Sequence, residues 1–330
     1  MDALDYTLLN DFQRGFPLCP RPFEDIARRL NESENAVIEA FARLQREGKV
    51  SRVGTVFRPR TIGAGTLAAM AVPERRLAEV AALVNAHPEV NHNYSRIHEW
   101  NLWFVATAPH TAQLARALDR IEAECGHPLI RLPLIEDYHI DLGFDLAGAR
   151  RAPTAGRTPR TVGPVALSAN DTALVAALEA GLPLVAHPYA ALGARAQMGE
   201  ASVLATLEAW IEAGIVTRLG VIVRHHELGF TANAMTVWDV PDEIVATFGR
   251  RLAAADCVTL CYRRARDLPR WHYNLYCMIH GRSHERVLAQ IEWLRESCWL
   301  LGYPFAVLFS SQRFKQRGAR YAPQAEVAHG

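Results

Sequence analysis

Four side chains that can move a proton or bind an anion stand two residues apart in this chain. They are His92, Tyr94, Arg96 and His98. Alternate side chains of an extended strand share one face, so a strand here predicts that all four lie on the same surface. An imidazole can donate a proton near neutral pH, and a guanidinium can hold a carboxylate. The stretch therefore predicts acid catalysis on a carboxylated ligand.

The same pattern returns in the second half of the chain. Residues 101–105 have the aromatic and β-branched content of a returning strand, which predicts a hairpin, and residues 261–280 repeat that hairpin. The repeated pairs are Tyr94 with Tyr262, Arg96 with Arg264, and Asn101 with Asn274. We therefore expect one hairpin of this kind in each half.

The elements around the first hairpin predict two small domains. Apolar residues recur at helical spacing in three stretches before Gly48, and a strand follows at 50–57. This order is that of a winged helix-turn-helix. Residues 67–139 then read as strand, helix, hairpin, helix and strand, which is the β-α-β-β-α-β order of ferredoxin-like domains.

Both domains return after a linker rich in Pro, Gly and Ala. Matching residues lie 166 positions apart, as Gly15 and Gly181 do. The sequence thus predicts an α+β tandem repeat whose halves pair as a pseudo-two-fold dimer within one chain. The predicted domains are winged helix-turn-helices at 1–60 and 165–226 and ferredoxin-like domains at 61–147 and 227–330, with the linker at 148–164.

The composition disfavours several classes of protein. The chain has 330 residues, with 36 Lys and Arg against 35 Asp and Glu, so it has no overall field for nucleic acid or an anionic membrane. It contains no run of about 18 apolar residues, and Asp2 and Asp5 disfavour a signal peptide. Six cysteines without a C-x-x-C pair predict reduced thiols. We expect a cytoplasmic protein.

Three motifs carry a resemblance to a known family. They are Asn-His-Asn-Tyr-Ser-Arg-Ile-His-Glu-Trp-Asn-Leu-Trp at 91–103, Arg-His-His-Glu-Leu-Gly at 224–229, and Trp-His-Tyr-Asn-Leu-Tyr-Cys-Met-Ile-His at 271–280. The chain resembles the siroheme decarboxylases of heme d1 biosynthesis, with a NirD-like half before a NirL-like half, and its layout is similar to that of Lrp/AsnC regulators. The resemblance implies removal of carbon dioxide from two acetate groups of siroheme, giving 12,18-didecarboxysiroheme.

The chemistry of this reaction predicts specific roles for the hairpin residues. His92 and His98 are expected to protonate the macrocycle, Tyr94 to position one of them, and Arg96 to hold the leaving carboxylate. The eight carboxylates of siroheme need further cationic and polar contacts around an apolar floor. The expected substrate-binding residues are Arg58, Arg60, Asn101, Trp103, Arg224, His225, His226, Arg263, Arg264, His272 and Asn274.

This reaction requires no organic cofactor. Protonation of the ring carbon beside an acetate creates the electron sink, carbon dioxide leaves, and the exocyclic carbon is then protonated. His225 or His272 is a second choice for the other acetate or for a bond to the iron. The alternative for each of these histidines is a structural role within its strand.

Two other functions remain open at this point. The layout favours a ligand-responsive transcription regulator, but the third helix opens with Glu32 and Glu34, and residues 199–217 contain no Lys or Arg. Because such helices bind DNA through cationic contacts to phosphate, DNA is not an expected partner. A tetrapyrrole carrier without turnover would use the same residue types. Further homo-oligomers, or association with other proteins of heme d1 biosynthesis, are also open.

Overall fold

The structure is a computed structural model that describes residues 1–140, 143, 146 and 162–322. Residues 148–161 of the expected linker lie outside these described residues. Pro22 begins the second helix, where its missing N–H costs nothing, and the Ser33 hydroxyl accepts the N–H of Ala36 to cap the third. The first winged helix-turn-helix consists of α1 (Ala3–Asp11), α2 (Pro22–Leu30), α3 (Glu34–Arg46) and β1 (Val50–Phe57).

The first ferredoxin-like domain has the expected order of elements. Its strands turn one face toward two helices, and Ala68, Val90 and Phe104 pack there, because successive strand side chains point to opposite faces. The elements are β2 (Ala64–Met70), α4 (Leu77–Ala86), β3 (Val90–Arg96), β4 (Leu102–Ala108), α5 (Thr111–Cys125) and β5 (Leu129–Ile140).

The second half repeats both domains, which confirms the predicted fold class. A short 3-10 helix, His225–Leu228, joins its two domains. The elements are α6 (Ala169–Leu178), α7 (Pro188–Ala196), α8 (Glu200–Ala213), β6 (Val216–Val223), β7 (Ala232–Trp238), α9 (Val245–Ala253), β8 (Val258–Arg264), β9 (Leu275–Gly281), α10 (His284–Ser297) and β10 (Phe305–Gln316).

The two ferredoxin-like domains join into one closed barrel of eight strands in the order β10-β3-β4-β2-β5-β8-β9-β7. The long strands β5 and β10 make this possible. Each begins beside a strand of its own half and ends beside a strand of the other, so β5 pairs with β2 and then β8, and β10 pairs with β7 and then β3. Closure removes free sheet edges and holds the halves in one register.

The two wings also pair with each other. β1 and β6 form a two-stranded antiparallel sheet in which Gly54 lies opposite Gly220. The barrel interior holds apolar side chains from both halves, among them Trp103, Met235 and Tyr276. Within the described residues, no helix is both long and apolar enough to cross a lipid bilayer.

Candidate functional site

Strand β3 presents His92, Tyr94 and Arg96 to the barrel interior, as the alternation predicts. Asn93, which lies between the first two, faces α4, where its amide donates to the backbone carbonyl of Ala81 at 3.2 Å. The rings of His92 and Tyr94 stack with their centroids 6.3 Å apart and their planes 12° apart. Three of the four predicted side chains therefore share one face.

The prediction that His98 shares this face is wrong. Strand β3 ends at Arg96, whose N–H donates to the carbonyl of Asn101 and closes the hairpin. His98 lies in the turn, where its Nδ1 accepts the N–H of Trp100 at 3.1 Å. Its ring packs edge-on against Trp271, with centroids 5.6 Å apart. The strand period stops applying once the backbone turns.

The second half brings two further imidazoles to the site. His225 begins the 3-10 helix after β6, and His280 lies on β9 in the same row as the interior residues Tyr276 and Met278. The rings of His225 and His280 meet edge-to-face at 4.6 Å. Together with His92 they form a half-buried cluster, which we call the histidine cluster.

Burial and mutual repulsion keep these imidazoles uncharged at neutral pH. Burial and the nearby Arg52 guanidinium lower the pKa of His92 to about 4. Burial, and then the charges of His226, Arg313 and His92, lower the pKa of His225 to about 4. The pKa of His280 also lies well below its ordinary value, chiefly because of burial.

Two guanidinium groups border the histidine cluster. Arg96 is buried, its Nη1 donates to the carbonyl of Leu308 at 2.9 Å, and its Nε is buried without a hydrogen-bond partner. Burial lowers the pKa of Arg96 to about 10, so it stays charged at pH 7. Arg313 on β10 lies opposite Tyr94 and pairs with Glu227 at 2.6 Å. The site thus combines proton carriers with anion-binding groups.

The repeat gives the barrel a second set of equivalent positions, on β8 and its neighbouring strands, which we call the second pocket. Tyr262 and Arg264 occupy the positions on β8 that Tyr94 and Arg96 hold on β3. Arg264 donates from Nη1 to the carbonyl of Leu132 at 2.7 Å, which is the counterpart of the Arg96 bond to the other half. Arg264 also lies 4.6 Å from the centre of the Tyr262 ring.

The second pocket does not repeat the histidine cluster. The strand registers and the 166-residue repeat identify the equivalent positions. The equivalents of His92, His225 and His280 are Leu260, Pro59 and Thr107, and the equivalent of Arg313 is Asp137. The two pockets therefore differ in every proton carrier of the cluster and in one charge.

Two predicted substrate-binding residues, Asn101 and Asn274, hold backbone positions in the fold. The Asn101 side chain accepts the N–H of Val72 at 2.9 Å and donates to the carbonyl of the same residue at 2.8 Å. Asn274 makes the same pair of bonds to Val240, at 3.1 and 2.8 Å. Each amide thus fixes the chain just after β2 or β7. The repeated Asn-Leu motif thus marks an equivalent fold position in each half.

Three predicted carboxylate clamps already bind protein groups. Arg58 pairs with Asp137 at 3.0 Å, and Arg263 pairs with Asp242 at 2.8 Å. Arg60 donates to a backbone carbonyl on β5. Each of these guanidinium groups therefore has an acceptor from a distant part of the chain, which no local sequence pattern reveals.

The other predicted contacts differ in their exposure. Arg224 is half-buried and lies 3.5 Å from the carbonyl of Gly48, while His226 is exposed. His272 is exposed in the turn before β9, and His280 lies near the far end of that strand, on the order of 15 Å along it. His272 is therefore badly placed for a shared iron site with the histidine cluster.

Trp103 lies in the barrel interior, where the sequence predicts an apolar floor. It is almost fully buried, and its indole N–H donates to the carbonyl of Trp100. Its ring meets Trp271 edge-to-face at 5.1 Å. Phe104, the next residue, packs on the helix side of the sheet.

Sequence reasoning does not identify three residues of the site as ligand-binding or catalytic groups. His280 had a signal, since it continues the two-residue period of Tyr276 and Met278. Arg52 had a weaker one, as a matched position of the repeat. Arg313 had none, because only pairing between halves brings it opposite Tyr94.

The buried histidines predict a loss of stability in acid. The pKa values of His92 and His225, about 4 when folded, lie below the ordinary value of about 6.5, so the unfolded chain binds more protons between those limits. The free energy of unfolding should therefore fall as pH falls from about 6.5 to 4. Urea unfolding at several pH values should show this fall, and His92→Asn and His225→Asn should each reduce it.

The exposed His272 provides the matched control. His272→Asn leaves the buried cluster intact, so the loss of stability in acid that the cluster causes should persist in this variant. An unaltered slope in both His92→Asn and His225→Asn would contradict the electrostatic description of the cluster.

Comparison with known proteins identifies the architecture. Residues 62–139 and 227–315 match the AsnC-like ligand binding domain, and residues 5–50 and 171–216 match the siroheme decarboxylase NirDL-like HTH domain. The fold therefore defines a tandem protein of the AsnC-like ligand-binding class.

The siroheme decarboxylase NirDL subunit of Paracoccus denitrificans is 49% identical over 98% of this chain and 99% of its own. The chain belongs to the siroheme decarboxylase NirDL family, as the motifs predicted. The siroheme decarboxylase NirD subunit of Pseudomonas aeruginosa is 48% identical, and the match covers 46% of this chain and 100% of that subunit. A crystal structure of siroheme decarboxylase NirDL with an iron-uroporphyrin III analogue matches at TM-score 0.68 and 25% identity, over 96% of this chain and 93% of that one.

Proposed function

We propose that this chain removes carbon dioxide from two acetate side chains of siroheme and yields 12,18-didecarboxysiroheme. The observation that carries this proposal is the half-buried histidine cluster, in which imidazoles from both halves lie next to the guanidinium groups of Arg96 and Arg313. The family membership supports it independently.

Loss of carbon dioxide from a pyrrole acetate requires a place for the electron pair of the breaking bond. Protonation of the ring carbon beside the acetate provides it. The carboxylate leaves as carbon dioxide, the electron pair forms an exocyclic double bond, and protonation of the exocyclic carbon with loss of the ring-carbon proton gives a methyl group. Each turnover consumes one proton, and the macrocycle is its own electron sink, so we propose that no organic cofactor is needed.

We propose His92 as the acid for the ring carbon and His225 as a second proton carrier. Their low pKa values would rise when the carboxylates of siroheme enter, because nearby negative charge favours the protonated imidazole. Tyr94 stacks on His92 and holds its orientation. Burial raises the pKa of Tyr94, which keeps its phenol protonated at neutral pH. Arg96 holds the reacting acetate until its charge is lost.

We further propose that both acetates react in this pocket, one after the other. The second pocket holds Leu260, Pro59 and Thr107 where the cluster has histidines. None of these side chains can donate a proton near neutral pH. A titration with siroheme should accordingly give one site per chain. Arg264, predicted as a substrate contact, is then a structural residue.

Other expectations remain proposals. We infer that the winged domains do not bind DNA, because β1 and β6 pair with each other and α3 begins with the acidic residue Glu34. Iron ligation by His225, a cytoplasmic location, and assembly with further copies or with other heme d1 biosynthesis proteins stay predictions. That the chain has no membrane partner also stays a prediction.

Anaerobic incubation with siroheme tests the proposed function directly. We expect a product lighter than siroheme by the mass of two molecules of carbon dioxide, detected by mass spectrometry. Binding with no change in mass would instead identify a tetrapyrrole carrier. Salt-sensitive retention of duplex DNA without turnover would identify a regulator.

A further inference from the structure

The wing strand β1 carries an arginine that none of the chemistry above uses. The side chain of Arg52 lies between the backbones of Gly54, Gly181 and Gly318. A Cβ added at Gly181 would come within 2.8 Å of the Arg52 Cβ, and one added at Gly318 within 2.8 Å of its guanidinium carbon. Gly181 and Gly318 thus leave the space that this side chain fills, since a Cβ at either position would collide with it.

No carboxylate of the described residues pairs with Arg52. Its Nη2 donates to the backbone carbonyl of Thr55 at 3.3 Å, and its Nε is buried without a hydrogen-bond partner. Burial lowers the pKa of Arg52 to about 10, so the guanidinium is still charged at pH 7. Because a buried cation without a counterion is costly, this arrangement points to an anion that arrives with a ligand.

The chain places Arg52 at the histidine cluster. Gln316 lies opposite His92 across β10 and β3, and two residues later Gly318 packs on the Arg52 guanidinium. In the wing sheet, Arg52 lies opposite Ile222, from which the chain runs directly to His225. Two independent chain segments therefore connect Arg52 with the end of the barrel where the imidazoles meet.

We propose that Arg52 binds a carboxylate of the tetrapyrrole that the reaction retains, and so fixes the position of the macrocycle relative to His92. This inference rests on the proposed function. Arg96 already serves the reacting acetate, and a second guanidinium there would stabilise the very charge that must disappear. A contact with a retained carboxylate does not raise the barrier of the chemical step, because that carboxylate keeps its charge throughout. The wing, which binds DNA in regulators, here serves the substrate.

Titration of Arg52→Gln with siroheme and with 12,18-didecarboxysiroheme tests this assignment. We expect both dissociation constants to rise by the same factor, about 10- to 100-fold for the loss of a charge-assisted hydrogen-bonded contact. Arg52→Lys should recover part of the affinity, since it restores the charge without the planar fork. Arg218→Gln, the matched position of the other wing, should change neither constant.

Each remaining outcome has a defined consequence. Weaker binding of siroheme alone would assign Arg52 to a reacting acetate and overturn the proposal. Unchanged affinity for both ligands would also overturn it, as would equal losses in Arg218→Gln. Thermal unfolding without ligand should show no loss of stability in Arg52→Gln, and lower stability with unaltered affinity would mark a purely structural residue. Binding and release of carbon dioxide are separate measurements. A wild-type chain that binds both ligands but releases no carbon dioxide would therefore refute the proposed function alone, whereas one that binds neither would refute both.

Discussion

Replacement of His92 by asparagine is expected to lower kcat for siroheme about 100- to 10,000-fold, the range that a positioned general acid contributes. His92 faces the barrel interior and stacks on Tyr94, and asparagine keeps a polar side chain of smaller size there. The dissociation constant of siroheme should change little, because Arg96 and Arg313 remain. The measurements are anaerobic product formation by mass spectrometry and an absorbance titration of binding.

His98→Asn is the matched control for this experiment. The two histidines stand close together in sequence, but His98 lies in the hairpin turn against Trp271. We expect His98→Asn to retain nearly full turnover. A loss in His98→Asn as large as that in His92→Asn would show that the turn, and not the strand face, carries the chemistry. Full activity in His92→Asn would remove the proposed acid.

Replacement of Arg96 by methionine is expected to lower kcat/KM for siroheme about 10- to 100-fold, the effect of removing one charge-assisted contact. Methionine fills similar space but cannot hold the acetate carboxylate. The affinity for 12,18-didecarboxysiroheme should be nearly unchanged, because that acetate is absent from the product. Steady-state kinetics and parallel titrations with both tetrapyrroles measure the two effects.

Arg264→Met is the matched control, because Arg264 occupies the equivalent position in the other half. Arg96 and Arg264 each donate from Nη1 to a backbone carbonyl of the opposite half, at 2.9 and 2.7 Å. Both substitutions remove the same structural bond, so their effects on thermal unfolding should be similar. Only Arg96→Met should impair turnover. Equal kinetic losses in the two variants would contradict a single working pocket and would favour one site in each half.

The asymmetry between the pockets gives the duplication a physical meaning. Two halves are needed to close the barrel, since β5 and β10 each complete the sheet of the other half. The histidine cluster draws His92 from one half and His225 and His280 from the other, so neither half contains it alone. A closed and symmetric scaffold thus carries one asymmetric site.

The sequence by itself determined the parts of this protein that depend on short-range pattern. The winged domains follow from helical periodicity, Ser33 and Gly48, and the interior face of β3 follows from the two-residue period of His92, Tyr94 and Arg96. The repeat was visible because equivalent glycines and arginines recur at a constant spacing. Each of these signals acts between residues that are close in the chain, or between copies of one motif.

Only the tertiary structure decided which side chains meet. Asn101 satisfies the backbone of Val72, Arg58 is taken by Asp137, and Arg313 comes to lie opposite Tyr94. Such partners depend on how two sheets close on each other, and that register is set by the whole barrel. No local spacing encodes it, because the free energy of closure is shared among all eight strands.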